Sequence, residues 1–425
     1  MSEKYNIPRG TFDILPENSY KWQYVFRIFR ELAAAYNYRE IITPIFENSN
    51  LFERAVGDST DIVEKEMYKF QDKKGRELAL RPEGTAPVVR SYINNNLQNR
   101  ENSSKLYYLG PMFRYDKPQK GRFRQFYQYG VENFGSKDPF IDAEVIALGY
   151  NFLKKLGLQN FVLEINSIGC SECSKDYDAA LVEYFTKYTG DLCNDCKNRL
   201  KTKPKRILDC KIKRCKEIAE NAPSQLDYLD ESCRTDFEQV QDYLVKMNIP
   251  FLVNPKIVRG LDYYTKTAFE YLNNNLGAQN ALGGGGRYDN LVEQMGGNPT
   301  PGIGFAGGFE RLILSMETEG LDFGGSVKPF IYFITLGEKA ELYAISLLED
   351  LRNSGLSLEF DADKKSLKAQ MKAADRSKAE FALILGDDEL ENNEITLKNM
   401  TTGKQQKIAL DTTKEYLLNL KKKSS

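Results

Sequence analysis

The segment FRYDKPQKGRFRQFYQYGVE, residues 113–132, reads as two strand segments joined by a basic loop that holds Pro118 and Gly121. The strands themselves are expected over residues 105–116 and 122–134. Side chains alternate across a strand, so Arg124, Gln128 and Glu132 share one face and Gln125, Tyr127 and Tyr129 share the other. A face that carries both signs of charge suits a site for a zwitterion together with phosphates. A surface ion-pair ladder would show the same pattern.

Upstream, residues 17–36 place Trp22, Val25, Phe26, Phe29, Leu32 and Ala33 on one helical stripe, which makes the single tryptophan a core residue. A strand is expected over Glu40–Phe46, at an edge or interface because of Pro44, and another over residues 77–81. Downstream, Ile141–Lys155 is helical and Phe161–Ile168 a strand. Residues 170–246 hold all the cysteines and look like an inserted unit. Strands resume at Phe251–Val258 and Thr267–Tyr271. A glycine-rich linker spans residues 320–328, and beyond it the pattern changes. Pro329–Leu336, Leu356–Asp361 and Phe381–Leu385 are strands separated by helices at Ala340–Asn353 and Ser366–Ala379. That alternation predicts a parallel sheet covered by helices, closed by a hairpin over Glu394–Leu410 and a last helix. The expected domains are therefore 1–325, with the insertion 170–246, and 329–425.

Composition narrows the function. No run approaches the ~18 apolar residues of a membrane span, and Met1–Tyr5 lacks the apolar core of a signal peptide. Seven cysteines, an odd number with CxxC spacings, suit a reducing compartment, so the expected location is the cytoplasm. A formal net charge of −1 says little about nucleic acid, because local patches decide. Residues 197–216 are such a patch: Lys197, Arg199, Lys201, Lys203, Lys205, Arg206, Lys211, Lys213, Arg214 and Lys216 stand against one acid, Asp209. That imbalance favours phosphate contact over a merely solvated face. The chain has no histidine at all, which excludes Ser-His-Asp and Cys-His nucleophile machinery and His-ligated metals. Chemistry must rest on positioning, Arg and Lys charge, carboxylates and backbone dipoles, a restriction that suits phosphoryl and adenylyl transfer.

Other motifs add candidates. In Arg81-Pro-Glu83-Gly-Thr85 a carboxylate and a hydroxyl on one face or turn can hold an ammonium group. Arg259 stands before Gly260 at a strand end, followed closely by Tyr263 and Tyr264. Gly283–Gly286 cannot be ordinary strand unless something approaches the chain closely, a ligand or another chain segment. Gly302–Arg311 matches G-x-G-x-x-G, but it follows Asn298-Pro-Thr-Pro301 rather than a buried strand and lacks the acid-tipped second strand of a dinucleotide site. A helix packed on a glycine strand, with Arg311 facing a phosphate, explains it better. The cysteines pair as Cys170/Cys173, Cys193/Cys196 and Cys210/Cys215, with Cys233 alone. The two CxxC pairs, 19 residues apart, have the spacing of a four-thiolate zinc site, and of free thiols equally.

Taken together these segments resemble the histidyl-tRNA synthetases of class II over essentially the whole chain. The resemblance runs through Gly10–Pro16, the helix and strand around Pro44 (motif 1), Arg114–Glu132 (motif 2) and Arg311 (motif 3). Arg259-Gly-Leu-Asp-Tyr-Tyr and Gly283–Asp289 are the segments peculiar to the histidine enzymes. It implies an α+β catalytic domain with an antiparallel sheet flanked by helices, a helical insertion that contacts the tRNA acceptor arm, a C-terminal α/β anticodon-binding domain, and a homodimer. The implied activity is ATP-dependent activation of L-histidine to the adenylate and its transfer to the 3′ end of tRNA(His). Glu83, Thr85 and Gln128 would hold the α-ammonium, and Glu132 and Tyr264 would read the imidazole with Tyr263 beside them. Arg114 would bind the ATP α-phosphate and adenine, Arg259 the α-phosphate from the opposite side, and Arg311 the γ-phosphate. Mg²⁺ would accompany ATP, and no protein metal ligands are implied at the site. Tyr127 stands where relatives commonly have histidine, and glycines usual near residues 377–379 are absent. Many relatives lack the insertion cysteines, so the fold does not require zinc there. A histidine-binding regulatory paralogue is the alternative, but such proteins lose the motif arginines and the C-terminal domain that this chain retains.

Overall fold

The computed structural model describes residues 5–57, 60, 62–99, 104–119, 121–257, 261, 263–273, 275, 280–325, 328–363 and 365–424. The chain forms two compact units, Met1–Gly324 and Gly325–Ser425.

In the first unit the strands are β1 (Arg39–Glu40), β2 (Phe46–Asn48), β3 (Lys69–Gln71), β4 (Glu77–Leu80), β5 (Ser104–Phe113), β6 (Gln125–Phe134), β7 (Val162–Ser167), β8 (Leu252–Val253), β9 (Thr265–Leu272), β10 (Ala281–Arg287) and β11 (Gly302–Gly308). They build an eight-stranded sheet in the order β1-β5-β6-β11-β10-β9-β7-β8 and a three-stranded sheet β2-β4-β3. The six inner strands of the large sheet are antiparallel; only the edge strands β1 and β8 pair in parallel.

Alternation along β6 decides which face does what. Its odd residues meet the helix Pro16–Ala35, whose apolar stripe buries Trp22, Val25, Phe29 and Leu32. Trp22 meets Tyr127 at 5.1 Å between ring centroids and Phe29 meets Tyr129 at 5.1 Å, so the lone tryptophan is core. Burying each such ring contributes roughly 1.5–3 kcal/mol. Proline in its first turn starts this helix, and Asn37 in the left-handed region, φ 62°, follows its end. The even residues of β6 are thereby left for the opposite face.

Three expectations change. Glu40–Phe46 is not one strand: β1 and β2 belong to different sheets, because Arg81 holds the chain between them, donating to Thr43 O at 2.9 Å and Thr43 Oγ1 at 3.0 Å. Phe251–Val258 shrinks to the two residues of β8, since Pro255 cannot continue a ladder; Val258 lies outside the described residues. Gly283–Gly286 lies within a strand, β10, paired on both sides, with the register against β9 shifting just before and just after the four glycines. The close approach comes from its neighbours' backbones: a Cβ on Gly285 would stand 2.0 Å from Gly304 O, and one on Gly286 2.4 Å from Thr267 O. The sheet is antiparallel at β11, which rules out the doubly wound dinucleotide reading of residues 302–311.

β10 ends on Arg287, whose side chain is 2% exposed and faces the equally buried Asp142 of the helix Pro139–Lys155. Its Nε donates to Asp142 Oδ2 at 3.2 Å, and its Nη1 to Ser136 O at 2.9 Å and Asp289 Oδ1 at 3.1 Å. Removing Asp142 takes away the closer of two acids and leaves a buried guanidinium with Asp289 and a carbonyl. Asp142→Ala is therefore expected to destabilise this unit by about 3–5 kcal/mol, read as a shift in its urea midpoint. A loss under ~1 kcal/mol would show that water reaches the pair.

Within the insertion, the helices Ser171–Thr186, Asn194–Thr202 and Lys213–Ala219 close a small core of their own around Tyr177, Leu181, Phe185 and Ile207. The helix Glu231–Lys246 instead buries Phe237, Val240 and Leu244 in the main core. Lys205, one of the ten basic residues, turns inward to Ser174 Oγ at 2.8 Å and Asp178 at 3.7 Å; Lys201, Lys211, Lys213, Arg214 and Lys216 are exposed. The cysteines do not group as their spacing predicts. Cys193 and Cys196 join Cys210 and Cys215, while Cys170 and Cys173 join Asp230 and Cys233. A four-thiolate site from the two CxxC pairs does not form, because the helix Ser171–Thr186 runs between them.

The second unit is a five-stranded sheet, β13-β12-β14-β15-β16, from β12 (Ile331–Leu336), β13 (Leu358–Phe360), β14 (Phe381–Gly386), β15 (Glu394–Asn399) and β16 (Gln405–Ala409). β13, β12 and β14 are parallel and the hairpin β15–β16 is antiparallel. β12 is apolar throughout because it is covered on both faces. Ile331 and Phe333 pack with Leu348 and Leu351, and Tyr332 and Ile334 with Ala374 and Ala379. Lys378 takes the left-handed position after the helix Leu367–Ser377, φ 56°, where glycine would fit without strain.

Candidate active site

The even face of β6 opens into two chambers that share Arg114, Gln128, Gly284 and Ala306 in their walls. The inner one, ≈ 110 Å³, is lined by Glu83, Thr85, Gln128, Glu132, Leu261, Tyr263, Tyr264 and Tyr288 among others. The turn Arg81–Thr85 delivers Glu83 to the start of the helix Thr85–Asn94. There its carboxylate accepts from Thr85 N at 2.7 Å and Ala86 N at 2.8 Å, and the helix N-terminus favours the negative charge. Burial pushes the Glu83 carboxyl up, against those two N–H groups and the Arg114 charge, which hold it down. Gln128 Oε1 accepts Gly84 N–H at 3.1 Å, which fixes the amide and leaves its NH₂ to the chamber.

Glu132 lies deepest, 1% exposed. Thr85 Oγ1 donates to its Oε1 at 2.7 Å, and the Tyr288 hydroxyl donates to its Oε2. Burial pushes its pKa up to about 8, while those two hydroxyls pull the other way. Gly304 explains part of the glycine strand, since a Cβ there would stand 1.9 Å from Glu132 Oε2. Tyr263 packs against Tyr264 at 4.6 Å and Tyr288 at 5.6 Å, an aromatic wall around the carboxylate.

The outer chamber, ≈ 310 Å³, is cationic. Arg114 leaves the end of β5, is anchored by Nε to Pro82 O at 2.8 Å, and lies 5.4 Å over the Phe126 ring. Arg311, on the helix Phe309–Thr318, donates from Nη1 to Ala281 O at 3.0 Å. Arg122 pairs with Asp116 and reaches Glu66 at 3.5 Å. Burial lowers the Arg311 pKa, and the neighbouring charges of Arg122 and Arg114 lower it further. Three guanidiniums gathered in one half-buried wall, against the acids Glu66, Asp116 and Glu310, favour an anion in the chamber. Glu310 bonds the Tyr127 N–H at 2.8 Å through Oε1, and burial raises its pKa to about 7.

Glu83, Thr85, Gln128, Glu132, Tyr263, Tyr264, Arg114 and Arg311 thus line one continuous cleft. Arg259 lies outside the described residues. Arg124 has the parity of Gln128 and Glu132 but precedes β6. It stacks 3.8 Å over Tyr115, and its backbone N–H bonds Gly10 O at 2.8 Å, so it pins the loop and the opening Gly10–Pro16 segment instead. Sequence reasoning missed Tyr288, Arg122, Glu310 and Phe126. Phe126 was recoverable, since it has the same strand parity as Gln128.

The histidyl-tRNA synthetase profile matches residues 10–312 and the anticodon binding domain profile residues 331–420. The histidine–tRNA ligase of Bacillus subtilis (strain 168) is 52% identical over 410 residues, 96% of this chain and 97% of that protein. That of Halothermothrix orenii is 51% identical over 403 residues, 95% and 96% of the two chains. The crystal structure of apo S. aureus histidyl-tRNA synthetase superimposes with a TM-score of 0.84 at 44% identity, covering 97% of this chain and 100% of that one. The Nostoc sp. PCC 7120 enzyme, at 20% identity and a TM-score of 0.71, shares the fold. With a family profile over most of its length and relatives half identical from end to end, the chain belongs to the histidyl-tRNA synthetase family.

Proposed function

We infer that the chain activates L-histidine with ATP and transfers it to the 3′ end of tRNA(His). One observation carries the reading: a carboxylate–amide–tyrosine chamber adjoins a chamber walled by arginines, with Arg114, Gln128, Gly284 and Ala306 in the walls of both. The first suits an amino acid with a polar ring and the second a polyphosphate. Glu83 and Gln128, with Thr85, hold the α-ammonium. Glu132 and Tyr264 take the two ring nitrogens, with Tyr263 and Tyr288 as walls. Arg114 and Arg259 meet the α-phosphate, Phe126 offers a ring face to the base, and Arg311 meets the γ-phosphate.

No side-chain base is needed. The substrate carboxylate is already a nucleophile and attacks the α-phosphorus in line, diphosphate leaves, and the arginines offset the charge that develops. The 3′-terminal ribose hydroxyl then attacks the adenylate carbonyl, its proton passes to a phosphate oxygen, and AMP leaves. Although the sequence implied no protein metal ligand here, Glu310, in the wall of the outer chamber, would hold Mg²⁺ arriving with ATP. Its raised pKa supports that assignment, because a cation there would relieve the buried charge. Magnesium, when bound, supplies charge neutralisation on the phosphates.

The full chain is expected to catalyse histidine-dependent ATP–diphosphate exchange and to charge tRNA(His), whereas residues 1–324 alone keep exchange but charge poorly. Exchange with another amino acid and none with histidine would overturn the assignment. Histidine binding without exchange would favour the regulatory alternative.

A homodimer is supported by the small sheet and the segment before it. Ile42 is 82% exposed, and Ile45, Phe46 and Phe70 also face out, apolar surface that a partner copy would cover. Sedimentation should give twice the chain mass, and Ile42→Asp with Phe46→Asp should shift it towards one chain. An unchanged dimer would place the interface elsewhere. The odd, CxxC-spaced cysteine set supports a cytoplasmic location. Among the described residues no helix is long and apolar enough to cross a membrane.

A further inference from the structure

We propose that the insertion is a two-zinc module, with one ion held by Cys193, Cys196, Cys210 and Cys215 and a second by Cys170, Cys173, Asp230 and Cys233. The ligand atoms within each group all lie within 4.8 Å of one another. A tetrahedral zinc site with Zn–S bonds of about 2.3 Å sets its sulfurs roughly 3.8 Å apart. Cys193 Sγ and Cys210 Sγ stand 3.9 Å apart, and Cys170 Sγ and Cys173 Sγ 3.6 Å. Those spacings exceed the ~2.05 Å of a disulfide, and all seven cysteines are free thiols. A span of 4.8 Å across all four ligands is also too short for an iron–sulfur cluster, whose thiolates, singly or in pairs, bind different irons.

The surrounding bonds suit ions at both places. Asp230 caps the helix Glu231–Lys246 through Oδ1, which accepts Cys233 N–H at 2.7 Å. Its other oxygen, Oδ2, is turned to Cys170 Sγ at 3.1 Å and Cys173 Sγ at 3.3 Å. Backbone N–H groups point at the sulfurs: Asp230 N at Cys173 Sγ, 3.2 Å, and Cys193 N at Cys215 Sγ, 3.4 Å. Such outer bonds stabilise thiolate ligands and fix their direction. With no histidine in the chain, thiolates and a carboxylate are the donors available, and they favour zinc over calcium or magnesium.

The fold gives both ions something to hold. The insertion's own core is small, a few aromatic and aliphatic side chains around Cys196, Cys210 and Cys215, and units of that size usually need a staple. The four-thiolate group ties the helix Asn194–Thr202 to the segment entering the helix Lys213–Ala219. The second group joins the residues where the chain enters the insertion, Cys170 and Cys173, to the start of its last helix, Glu231–Lys246, which packs in the main core. The negative charge of a four-thiolate zinc site is offset by the basic residues 197–216 around it.

The test is the metal content of the full-length chain, expressed in zinc-supplemented medium and passed through a brief chelator wash. About two zinc ions per chain are expected. Cys196→Ser with Cys210→Ser should remove one, and Cys173→Ser with Cys233→Ser the other. If either variant fails to fold, the wild-type chain is stripped and titrated with Co²⁺. Two equivalents should then develop thiolate-to-cobalt charge-transfer bands and tetrahedral d–d bands. Less than roughly 0.2 zinc per chain with no cobalt bands would overturn the proposal. Zinc indifferent to both pairs of substitutions would do so too, as an adventitious ion. One ion, lost with only one pair, would overturn the other site.

Discussion

Arg114→Ala is expected to slow histidine-dependent ATP–diphosphate exchange by about 10²–10³-fold, the loss that follows removal of one preorganised donor to a developing charge. The half-buried Arg114 side chain lines both chambers. Burial lowers its pKa, and the Glu66 and Glu83 charges only partly restore it. A cation kept there at that cost is matched to an anion that arrives with substrate. Histidine should still bind, because Glu83, Thr85, Gln128 and Glu132 line its chamber beside Arg114, so calorimetry should give a dissociation constant within a few-fold of wild type. Arg114 also holds Pro82 O, next to Glu83, so Arg114→Lys is the control. It keeps the charge but not the planar fork, and should recover only part of the rate. If Arg114→Ala raises the histidine KM and leaves kcat alone, the residue positions Glu83 and does not serve the phosphate.

Much of this site could be read from the sequence because strand parity is a local property. Gln128 and Glu132 are four residues apart on one strand, and no tertiary event short of a bulge can separate their faces. Parity failed at Arg124, one residue outside β6, where the loop claims the side chain. At the glycine strand the sequence left two visitors open, a ligand or another chain segment. Four glycines announce close approach, but only the sheet order shows that β9 and β11 make most of it. Tyr288 lay inside the Gly283–Asp289 segment, but its bond could not be foreseen, since its partner Glu132 lies 156 residues away. The cysteine groups show the same limit: CxxC spacing makes a pair, but which pairs meet depends on where a helix turns the chain. In the second unit, alternating strand and helix periods specified nearly every element, because each needs only its own few residues to be recognised.

Glu132→Ala should lower kcat/KM for histidine by on the order of 10⁴-fold, since a buried site built around a hydrogen bond discriminates by about that much when the bond is lost. The Thr85 and Tyr288 hydroxyls would be left without their acceptor as well. The pH profile carries the more specific signature. This chain has no histidine, so between pH 5 and 8 no side chain titrates at its ordinary pKa. Glu310, raised to about 7, faces the nucleotide chamber and is held constant by saturating MgATP. In the histidine chamber the pair assigned to the ring is then the substrate imidazole, about 6.5 in solution, and Glu132, about 8 in the free protein; Glu83, also pushed up by burial, faces the substrate's ammonium instead. A buried chamber disfavours net charge, so the productive complex has one proton to share between ring and carboxyl. Below the imidazole pKa both groups are protonated and the pair is a cation. Above the Glu132 pKa both are deprotonated and the pair is an anion. The profile of kcat/KM should therefore be a bell, with an acid limb near 6.5 and an alkaline limb near 8. A ring-substituted histidine of lower pKa should move the acid limb down by a matching amount and leave the alkaline limb in place. Glu132→Gln should abolish the alkaline limb, and any limb that survives there belongs to the substrate's ammonium. If the acid limb stays fixed while the ring pKa changes, the titrating group belongs to the protein, and Glu132 does not read the imidazole.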